Sequence, residues 1–189
     1  LMERMRAQAE KFGTQFITAE AVSLDLSRHP FFIELSDCCN VLTDVLIVAT
    51  GASSRKLRIK GARELRGYGV STCATCDGPF FKDKEVVVVG GGDSALEEAL
   101  SVSRFATKVT VIHRREGLRA SQIMQERAFS SKKISFIWDT EVKEIYGSQD
   151  KGVAGVRLVN KKTGEEKELS CDGVFVAIGH EPNTAVLKG

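Results

Sequence analysis

Cys73 and Cys76, separated by two residues, are the side chains of this sequence best spaced to do chemistry together. A Cys-x-x-Cys pair can hold a metal ion, form a structural disulfide, or cycle between dithiol and disulfide as a two-electron redox couple. Asp77 follows directly. Its carboxyl group could protonate a departing thiolate, or it could simply begin the turn at Gly78 and Pro79.

The other cysteines disfavour the metal reading. Structural zinc usually takes four Cys or His ligands from two paired clusters, whereas Cys38 and Cys39 are adjacent and Cys171 is isolated. Five cysteines, an odd number in 189 residues, also disfavour a disulfide scaffold. We therefore expect no metal ion, one redox pair in a cytoplasmic protein, and three thiols that are buried or inert.

A glycine-rich turn follows in the run EVVVVGGGDSALEEA. Gly90-x-Gly92-x-x-Ala95 lies between a strand-like and a helix-like run, the context of a dinucleotide-binding turn. In such turns the first glycine permits the bend, the second lets a pyrophosphate approach the backbone, and the alanine lets the helix pack on the strand. The helix start would hold the phosphates. The predicted nucleotide residues of this turn are Gly90, Gly91, Gly92, Asp93, Ser94 and Ala95; the alternative is a tight turn without a ligand.

Basic residues follow the next strand and indicate which dinucleotide binds. An NAD site usually carries Asp or Glu here, to bind the ribose 2′-hydroxyl group. This chain instead has His113, Arg114 and Arg115, with Arg119 four residues later. Guanidinium groups bind a 2′-phosphate, so we predict NADPH rather than NADH. Glu116 complicates the local charge, and the alternative is a solvated basic loop.

The fold class follows from the order of apolar patterns. Strand-like and helix-like runs alternate at 85–89, 90–106, 108–115, 120–129 and 134–138, which predicts a parallel sheet with helical crossovers. Runs at 141–147, 153–160 and 165–171 predict an antiparallel meander, with a hairpin turn at 161–164. We expect an α/β, Rossmann-like nucleotide domain made of a parallel sheet and a β-meander.

The flanking residues predict a second, interrupted domain. A helix is expected over 1–13, short strands at 14–18, 21–26 and 31–35, a buried parallel strand at 44–51 and a basic linker at 52–69. The strand-like run 173–179 ends in Ala-x-Gly, as 44–51 does. The similarity of these two runs predicts that residues 58–170 are inserted into a domain formed by 1–57 and 171–189.

Composition limits the classes of partner. The formal net charge is +2, which gives no electrostatic bias toward nucleic acid or an anionic membrane. No apolar run approaches the roughly 20 residues that a membrane helix needs. We expect neither partner.

The runs CATCDG, VVGGGDSALEEAL, VIHRREGLRAS and FVAIGHEPNT, in this order and spacing, resemble the low-molecular-weight NADPH-dependent thioredoxin reductases. The resemblance covers the whole chain. It implies a homodimer that passes hydride from NADPH to FAD, and electrons onward to the Cys73–Cys76 disulfide and to thioredoxin. It also implies that Cys76 faces the flavin, that Asp77 assists proton transfer, and that Thr50 and Gly51 lie against FAD.

The resemblance also implies an incomplete flavin domain. The Gly-rich FAD fingerprint of that family and its later Gly-Asp motif do not occur in these residues. The chain alone is therefore expected to bind FAD poorly and to lack overall activity. The alternatives are a related flavoprotein disulfide reductase of the peroxiredoxin-reducing type and a non-catalytic NADPH-binding redox module.

Overall fold

The computed structural model describes residues 1–37 and 39–187, which divide into two compact units. The larger unit is Ala52–Glu181, and the smaller combines Leu1–Gly51 with the described residues from Pro182 onward. Residues 171–181 thus group with the larger unit, and not with the flanking domain expected from the sequence. The reason is that the strand at 173–177 hydrogen-bonds to strands of the larger unit on both sides.

The helices and strands are numbered in chain order. The first part of the chain contains α1 Met2–Lys11, β1 Ala21–Asp25, β2 Phe31–Leu35 and β3 Asn40–Thr43. The remainder contains β4 Ala52–Ser54, β5 Val70–Ser71, α2 Ala74–Asp77, β6 Glu85–Gly90, α3 Asp93–Val102, β7 Lys108–Ile112, α4 Gln122–Phe129, β8 Ile134–Ile137, β9 Thr140–Ser148, β10 Gly152–Asn160, β11 Glu166–Ser170, β12 Gly173–Ala177 and β13 His180–Pro182.

A five-stranded parallel sheet forms the centre of the larger unit, in the order β5-β12-β6-β7-β8. The crossovers β6-α3-β7 and β7-α4-β8 carry the helices that the sequence predicted. The predicted α/β fold with a parallel sheet is confirmed. β6 is buried from Val86 to Val89, as a strand covered on both faces should be.

Alternation along β6 divides the core between two layers. Val86 and Val88 pack in the cluster that contains the buried face of α3, whereas Val87 and Val89 pack in the cluster that contains the meander. The buried side chains of α3 recur at helical spacing and are Ala95, Leu96, Ala99 and Val102. The sheet is therefore covered by helices on one face and by a β-layer on the other.

The β-layer is the predicted meander, with strand order β11-β10-β9. The inner face of the meander packs on the sheet through Val142, Ile145 and Val156, which belong to the same core cluster as Val87 and Val89. The predicted turn between β10 and β11 is present, and Gly164 closes it with a φ of +75°. The side chain of Asn160 organises this turn, because its Oδ1 accepts the N–H groups of Lys162 at 2.8 Å and Thr163 at 3.0 Å.

The smaller unit differs more from the sequence-based expectation. β1, β2 and β3 form an antiparallel sheet, and α1 lies within the helix predicted over 1–13. The predicted strands at 14–18 and 44–51 are wrong, because neither segment is a strand. In 44–51 the side chains of Val45 and Ile47 are 75 % and 85 % exposed and only Leu46 is half-buried, so most of this apolar run is not packed against the described residues.

The basic segment 52–69 is not a simple linker. β4 pairs with β13, while Ala62 and Leu65 are buried in the core cluster that contains the meander. A β-bridge joins Lys60 to Glu144, and their side chains form an ion pair at 2.7 Å. The segment therefore packs as part of the larger unit. Across the described ranges 1–37 and 39–187, no helix is long and apolar enough to span a membrane.

Candidate active site

A cavity of about 770 Å³ opens at the carboxyl ends of β6 and β7. This is the edge of an open α/β sheet at which ligands bind. The structure brings nine of the ten predicted NADPH residues into its lining: Gly90, Gly91, Gly92, Asp93, Ser94, His113, Arg114, Arg115 and Arg119. The tenth, Ala95, is fully buried in the helix-side core.

The glycines of the turn differ in what a side chain would meet. A Cβ at Gly90 would collide with the carbonyl oxygen of Ala177 and with Cβ of Ala95, so strand and helix pack too closely for a larger residue. A Cβ at Gly92 would meet nothing within 4 Å. Gly92 also precedes α3. The Ala95 N–H donates to the Gly92 carbonyl at 3.0 Å, whereas the N–H groups before it have no carbonyl acceptor within the helix. The space above Gly92 therefore fits a pyrophosphate.

His113 lies beneath the turn and is 7 % exposed. Its ring fills the space that a Cβ on Gly91 would need, and it meets Trp138 edge-on at 6.4 Å between ring centroids. Its Nε2 atom is buried without a hydrogen-bond partner. Burial lowers the pKa of His113, and the nearby Arg115 and Arg114 act in the same direction. We conclude that His113 shapes the floor of the cavity as a neutral ring.

The arginine loop, residues 114–119, is held at two backbone positions. The Arg119 N–H donates to the Gly91 carbonyl at 2.7 Å, and the Asp139 N–H donates to the Arg115 carbonyl at 3.2 Å. Within residues 1–37 and 39–187, the guanidinium groups of Arg114, Arg115 and Arg119 form no ion pair. Their positive charge is therefore available to an anion in the cavity.

Asp93 would repel a phosphate if its carboxylate faced the cavity freely. Instead, its Oδ1 accepts the N–H of Ser121 at 2.9 Å and the Oγ–H of Ser121 at 2.7 Å. These bonds lower the pKa of Asp93 and tie the start of α3 to the start of α4. The predicted cofactor residue is thus also a structural connection between two helices.

The cysteine pair forms a disulfide in the structure, with 5.3 Å between the Cα atoms of Cys73 and Cys76. Cys73 caps the amino end of α2, and its Sγ accepts the N–H of Cys76 at 3.2 Å. Cys73 is half-buried, while Cys76 is exposed. A helix start favours a thiolate, so the geometry supports a disulfide that opens to an activated thiol.

A carboxylate accompanies this helix start. Glu98, on α3, accepts the backbone N–H of Ala74, the residue after Cys73. Burial raises the pKa of Glu98, whereas the hydrogen bond from Ala74 opposes this effect. Asp77, the predicted acid, is half-buried at the other end of α2, and its N–H donates to the Cys73 carbonyl at 3.0 Å.

The predicted FAD residues lie in the smaller unit. Gly51 has a φ of +68°, and a Cβ there would meet nothing within 4 Å. Asn183 holds this turn, since its N–H donates to the Gly51 carbonyl at 3.0 Å and its Nδ2 donates to the Thr50 carbonyl at 3.2 Å. The space beside Gly51 is open, but Thr50 and Gly51 alone do not make a complete flavin site.

The remaining cysteines are separate from the redox pair. Cys39 is an exposed free thiol, and Cys171 is a buried one whose pKa burial raises to about 12. Cys38 lies outside the described residues. In the part of the chain that the structure describes, no group of three or more His, Cys, Asp or Glu side chains could hold a metal ion.

Comparison with known proteins agrees with this geometry. The family model for pyridine nucleotide-disulphide oxidoreductases matches residues 4–189. The chain belongs to this family. Over its whole length the chain is 50 % identical to a thioredoxin reductase of Streptomyces coelicolor and to one of Rickettsia prowazekii, of which it covers 58 % and 61 %.

Solved structures give the same relationship. Thioredoxin reductases of Lactococcus lactis and Giardia duodenalis superpose with TM-scores of 0.81 and 0.83, at 41 % and 40 % identity. In both comparisons the match covers 98 % of this chain and 60 % of the other. The chain thus spans about three fifths of these relatives. The recognised resemblance and the fold class are confirmed.

Several residues that line the cavity or contact the start of α2 were not recognised from the sequence. Arg55 and Arg58 line the cavity and belong to the segment 52–69, which the sequence predicts to be a linker. Their basic run was visible, but nothing in it indicated which surface it faces. Glu98 and Ser121 contact Ala74 and Asp93 from 24 and 28 residues away, a relationship that only the fold creates.

Proposed function

We propose that this protein acts in the NADPH-dependent reduction of a protein disulfide, that of thioredoxin, through the Cys73–Cys76 pair. The observation that carries this proposal is the cavity above Gly92, with three arginines free of ion pairs in the described ranges. This cavity lies in the same compact unit as the Cys73–Cys76 disulfide, which is at the start of α2. The name shared by the relatives supports thioredoxin as the substrate.

The residues of the larger unit would have distinct roles. The open backbone at Gly92 and the first N–H groups of α3 would hold the pyrophosphate, and Arg114, Arg115 and Arg119 would bind the 2′-phosphate. A bound flavin supplies the relay between a hydride donor and a disulfide. Thr50 and Gly51, the two residues predicted to contact FAD, would hold part of this flavin.

The cysteine pair would pass the electrons to the substrate. Opening the disulfide takes up two electrons, and the helix start with the Cys76 N–H would stabilise the Cys73 thiolate. That thiolate would attack the substrate disulfide, and Cys76 would then displace the reduced substrate and close the ring again. Asp77 is placed near the pair, where its carboxyl group would donate a proton to a leaving thiolate.

We infer further that the larger unit is the NADPH-binding domain and that the smaller unit is part of an FAD-binding domain. The homodimer and the cytoplasmic location stay predictions from the resemblance. Neither a peroxiredoxin-reducing flavoprotein nor a non-catalytic redox module is favoured, since the relatives at about half identity are named thioredoxin reductases.

The test is an assay of NADPH oxidation by the full-length protein, supplied with FAD and thioredoxin, because these 189 residues alone are expected to bind FAD poorly. We expect oxidation at 340 nm that requires thioredoxin, and its loss in Cys73→Ser and Cys76→Ser while NADP⁺ binding persists. Cys39→Ser is the matched control and should retain activity. Reduction of a disulfide dye without any requirement for thioredoxin would favour another acceptor, and no turnover would exclude the enzymatic role.

A further inference from the structure

Lys162, in the turn between β10 and β11, forms ion pairs with two carboxylates of other segments. Its Nζ lies 2.9 Å from Glu116 Oε2 and 2.9 Å from Asp139 Oδ2. Glu116 belongs to the arginine loop, 46 residues earlier in the chain. The turn therefore reaches the loop that lines the nucleotide cavity.

The ion pair rests on an ordered backbone. Asn160 Oδ1 accepts the Lys162 N–H at 2.8 Å, and the Lys161 N–H donates to the Asp139 carbonyl at 2.6 Å. The Asp139 N–H in turn donates to the Arg115 carbonyl. A lysine fixed between two carboxylates loses less conformational freedom on pairing than one on a mobile surface, where pairs contribute little.

Three carboxylates near the cavity each form a hydrogen bond or ion pair with a neighbouring side chain. Asp93 accepts hydrogen bonds from Ser121, Glu141 pairs with Lys161 at 3.2 Å, and Glu116 pairs with Lys162. The arginines of the loop, in contrast, form no ion pair among the described residues. The cavity thus keeps its positive charge although acidic residues surround it.

Glu116 is the carboxylate best placed to cancel that charge. It follows Arg115 directly in the chain and lies within the loop that also carries Arg114 and Arg119. A free carboxylate there would pair with one of these guanidinium groups or repel a bound phosphate. Hydrogen bonds from Lys162 to Asp139 and Glu116 raise the pKa of the lysine, which keeps it charged.

We propose that Lys162 is a positioning residue for cofactor selectivity, which holds Glu116 away from the arginines so that they recognise a 2′-phosphate. This inference rests on the proposed function, because it assumes that the cavity binds NADPH. It assigns part of the preference for NADPH over NADH to a residue of the β-meander that is not among those lining the cavity.

The experiment measures binding of 2′,5′-ADP and 5′-AMP to the purified chain by calorimetry, which needs neither flavin nor turnover. Lys162→Gln should weaken 2′,5′-ADP binding about two- to threefold, the scale of a solvent-screened ion pair, because the Glu116 side chain is 82 % exposed, and should leave 5′-AMP binding unchanged. Adding Glu116→Gln to Lys162→Gln should restore 2′,5′-ADP binding, since no carboxylate then remains to be held.

Lys108→Gln is the matched control, because Lys108 pairs with Glu85 at 3.5 Å at the opposite end of the sheet. It should change neither affinity. Equal weakening of both ligands by Lys162→Gln, or failure of Glu116→Gln to rescue, would overturn this inference alone. A wild-type chain that does not prefer 2′,5′-ADP to 5′-AMP would overturn the NADPH assignment and this inference with it.

Discussion

Glu98 accepts the backbone N–H of Ala74 and so places a half-buried carboxylate at the start of the helix that carries the cysteine pair. The same helix start favours a thiolate at Cys73, the residue that caps it. The Glu98 carboxylate and a Cys73 thiolate would then both lie at the positive end of the α2 dipole. Glu98 therefore opposes the thiolate while it fixes the position of the helix.

Glu98→Gln should make Cys73 more reactive in the reduced protein. Glutamine keeps an oxygen that can accept the Ala74 N–H, but it removes the negative charge, so the thiolate forms more readily. We expect alkylation of Cys73 by iodoacetamide at pH 6.5 to accelerate about three- to tenfold. Mass spectrometry of the quenched protein would measure this rate.

Glu97→Gln provides the matched control for that experiment, because Glu97 is the exposed neighbour of Glu98 on the same helix. Its effect should stay within about twofold, as solvent screens an exposed charge. Equal acceleration by both variants would show that Glu98 acts only through the general charge of the surface, and not through its contact with Ala74.

Gly91→Ala and Gly92→Ala should separate folding from nucleotide binding. A Cβ on residue 91 meets the buried His113 ring, so Gly91→Ala should lower the free energy of unfolding by about 1–3 kcal/mol, the usual cost of overpacking. A Cβ on residue 92 meets only open space. Gly92→Ala should therefore change stability by less than about 1 kcal/mol, the scale of a helix-cap substitution.

The effect of Gly92→Ala should appear in NADP⁺ binding, because its methyl group occupies the space proposed for the pyrophosphate. Urea denaturation measures the stability of each variant, and calorimetry measures its affinity for NADP⁺. If Gly92→Ala bound NADP⁺ as tightly as the wild type, the phosphates would have to lie elsewhere in the cavity.

The sequence predicted four strands of the parallel sheet, β6, β7, β8 and β12, because each carries its own apolar signal, whereas the two-residue β5 was not predicted. The run from Val86 to Val89 is apolar, and a glycine turn and a helix-like run follow it. The run 44–51 is equally apolar, yet it is not a strand. Apolarity shows that a segment can be buried, whereas a parallel strand also needs a neighbour, which the pattern does not specify.

In the site, too, residues of a local motif could be predicted from the sequence, whereas contacts between distant segments could not. Gly92 and Arg115 could be recognised because they belong to a local motif with fixed spacing. Lys162 could be placed in a hairpin turn, but its pairing with Glu116 depends on how the meander packs over the sheet. Pairs of opposite charge are common in any sequence, so only the folded chain shows which of them meet.

Arg114→Ala/Arg115→Ala should change the choice of dinucleotide. Charge-assisted hydrogen bonds to a phosphate contribute about 1.5–3 kcal/mol each, so NADP⁺ affinity should fall at least about tenfold. NAD⁺ lacks the 2′-phosphate, and its affinity should change little. Arg104→Ala, at an exposed arginine outside the cavity lining, is the control. Equal losses for NADP⁺ and NAD⁺ would contradict the 2′-phosphate assignment.

Cys39 and Cys171 should differ strongly in reactivity toward iodoacetamide. Cys39 is exposed, whereas burial raises the pKa of Cys171 to about 12 and shields its sulfur atom. In the native, oxidised protein at pH 8, Cys39 should be alkylated within minutes and Cys171 only after denaturation. Rapid modification of Cys171 under native conditions would show that this side chain is not buried in solution.

Acid should weaken the larger unit through His113. Burial lowers its pKa in the folded state below the usual value of about 6.5, so the unfolded chain binds the proton more readily. The neutral His113 ring therefore contributes its full stabilisation at a pH above about 6.5, and this contribution is lost as the pH falls through the lowered pKa of the folded state. Unfolding by urea at pH 7.5 and pH 5.5 should therefore show a lower midpoint in acid. Trp138, the chain's one tryptophan, packs edge-on to His113 and reports this transition by fluorescence.

Substitution of this histidine should remove that sensitivity to pH. His113→Asn lowers stability at both pH values because it leaves the floor of the cavity underpacked, but its midpoint should change less between pH 7.5 and pH 5.5 than that of the wild type. The exposed His180 is the control, and His180→Gln should retain the wild-type dependence. A His113→Asn variant as sensitive to acid as the wild type would mean that another group takes up the proton.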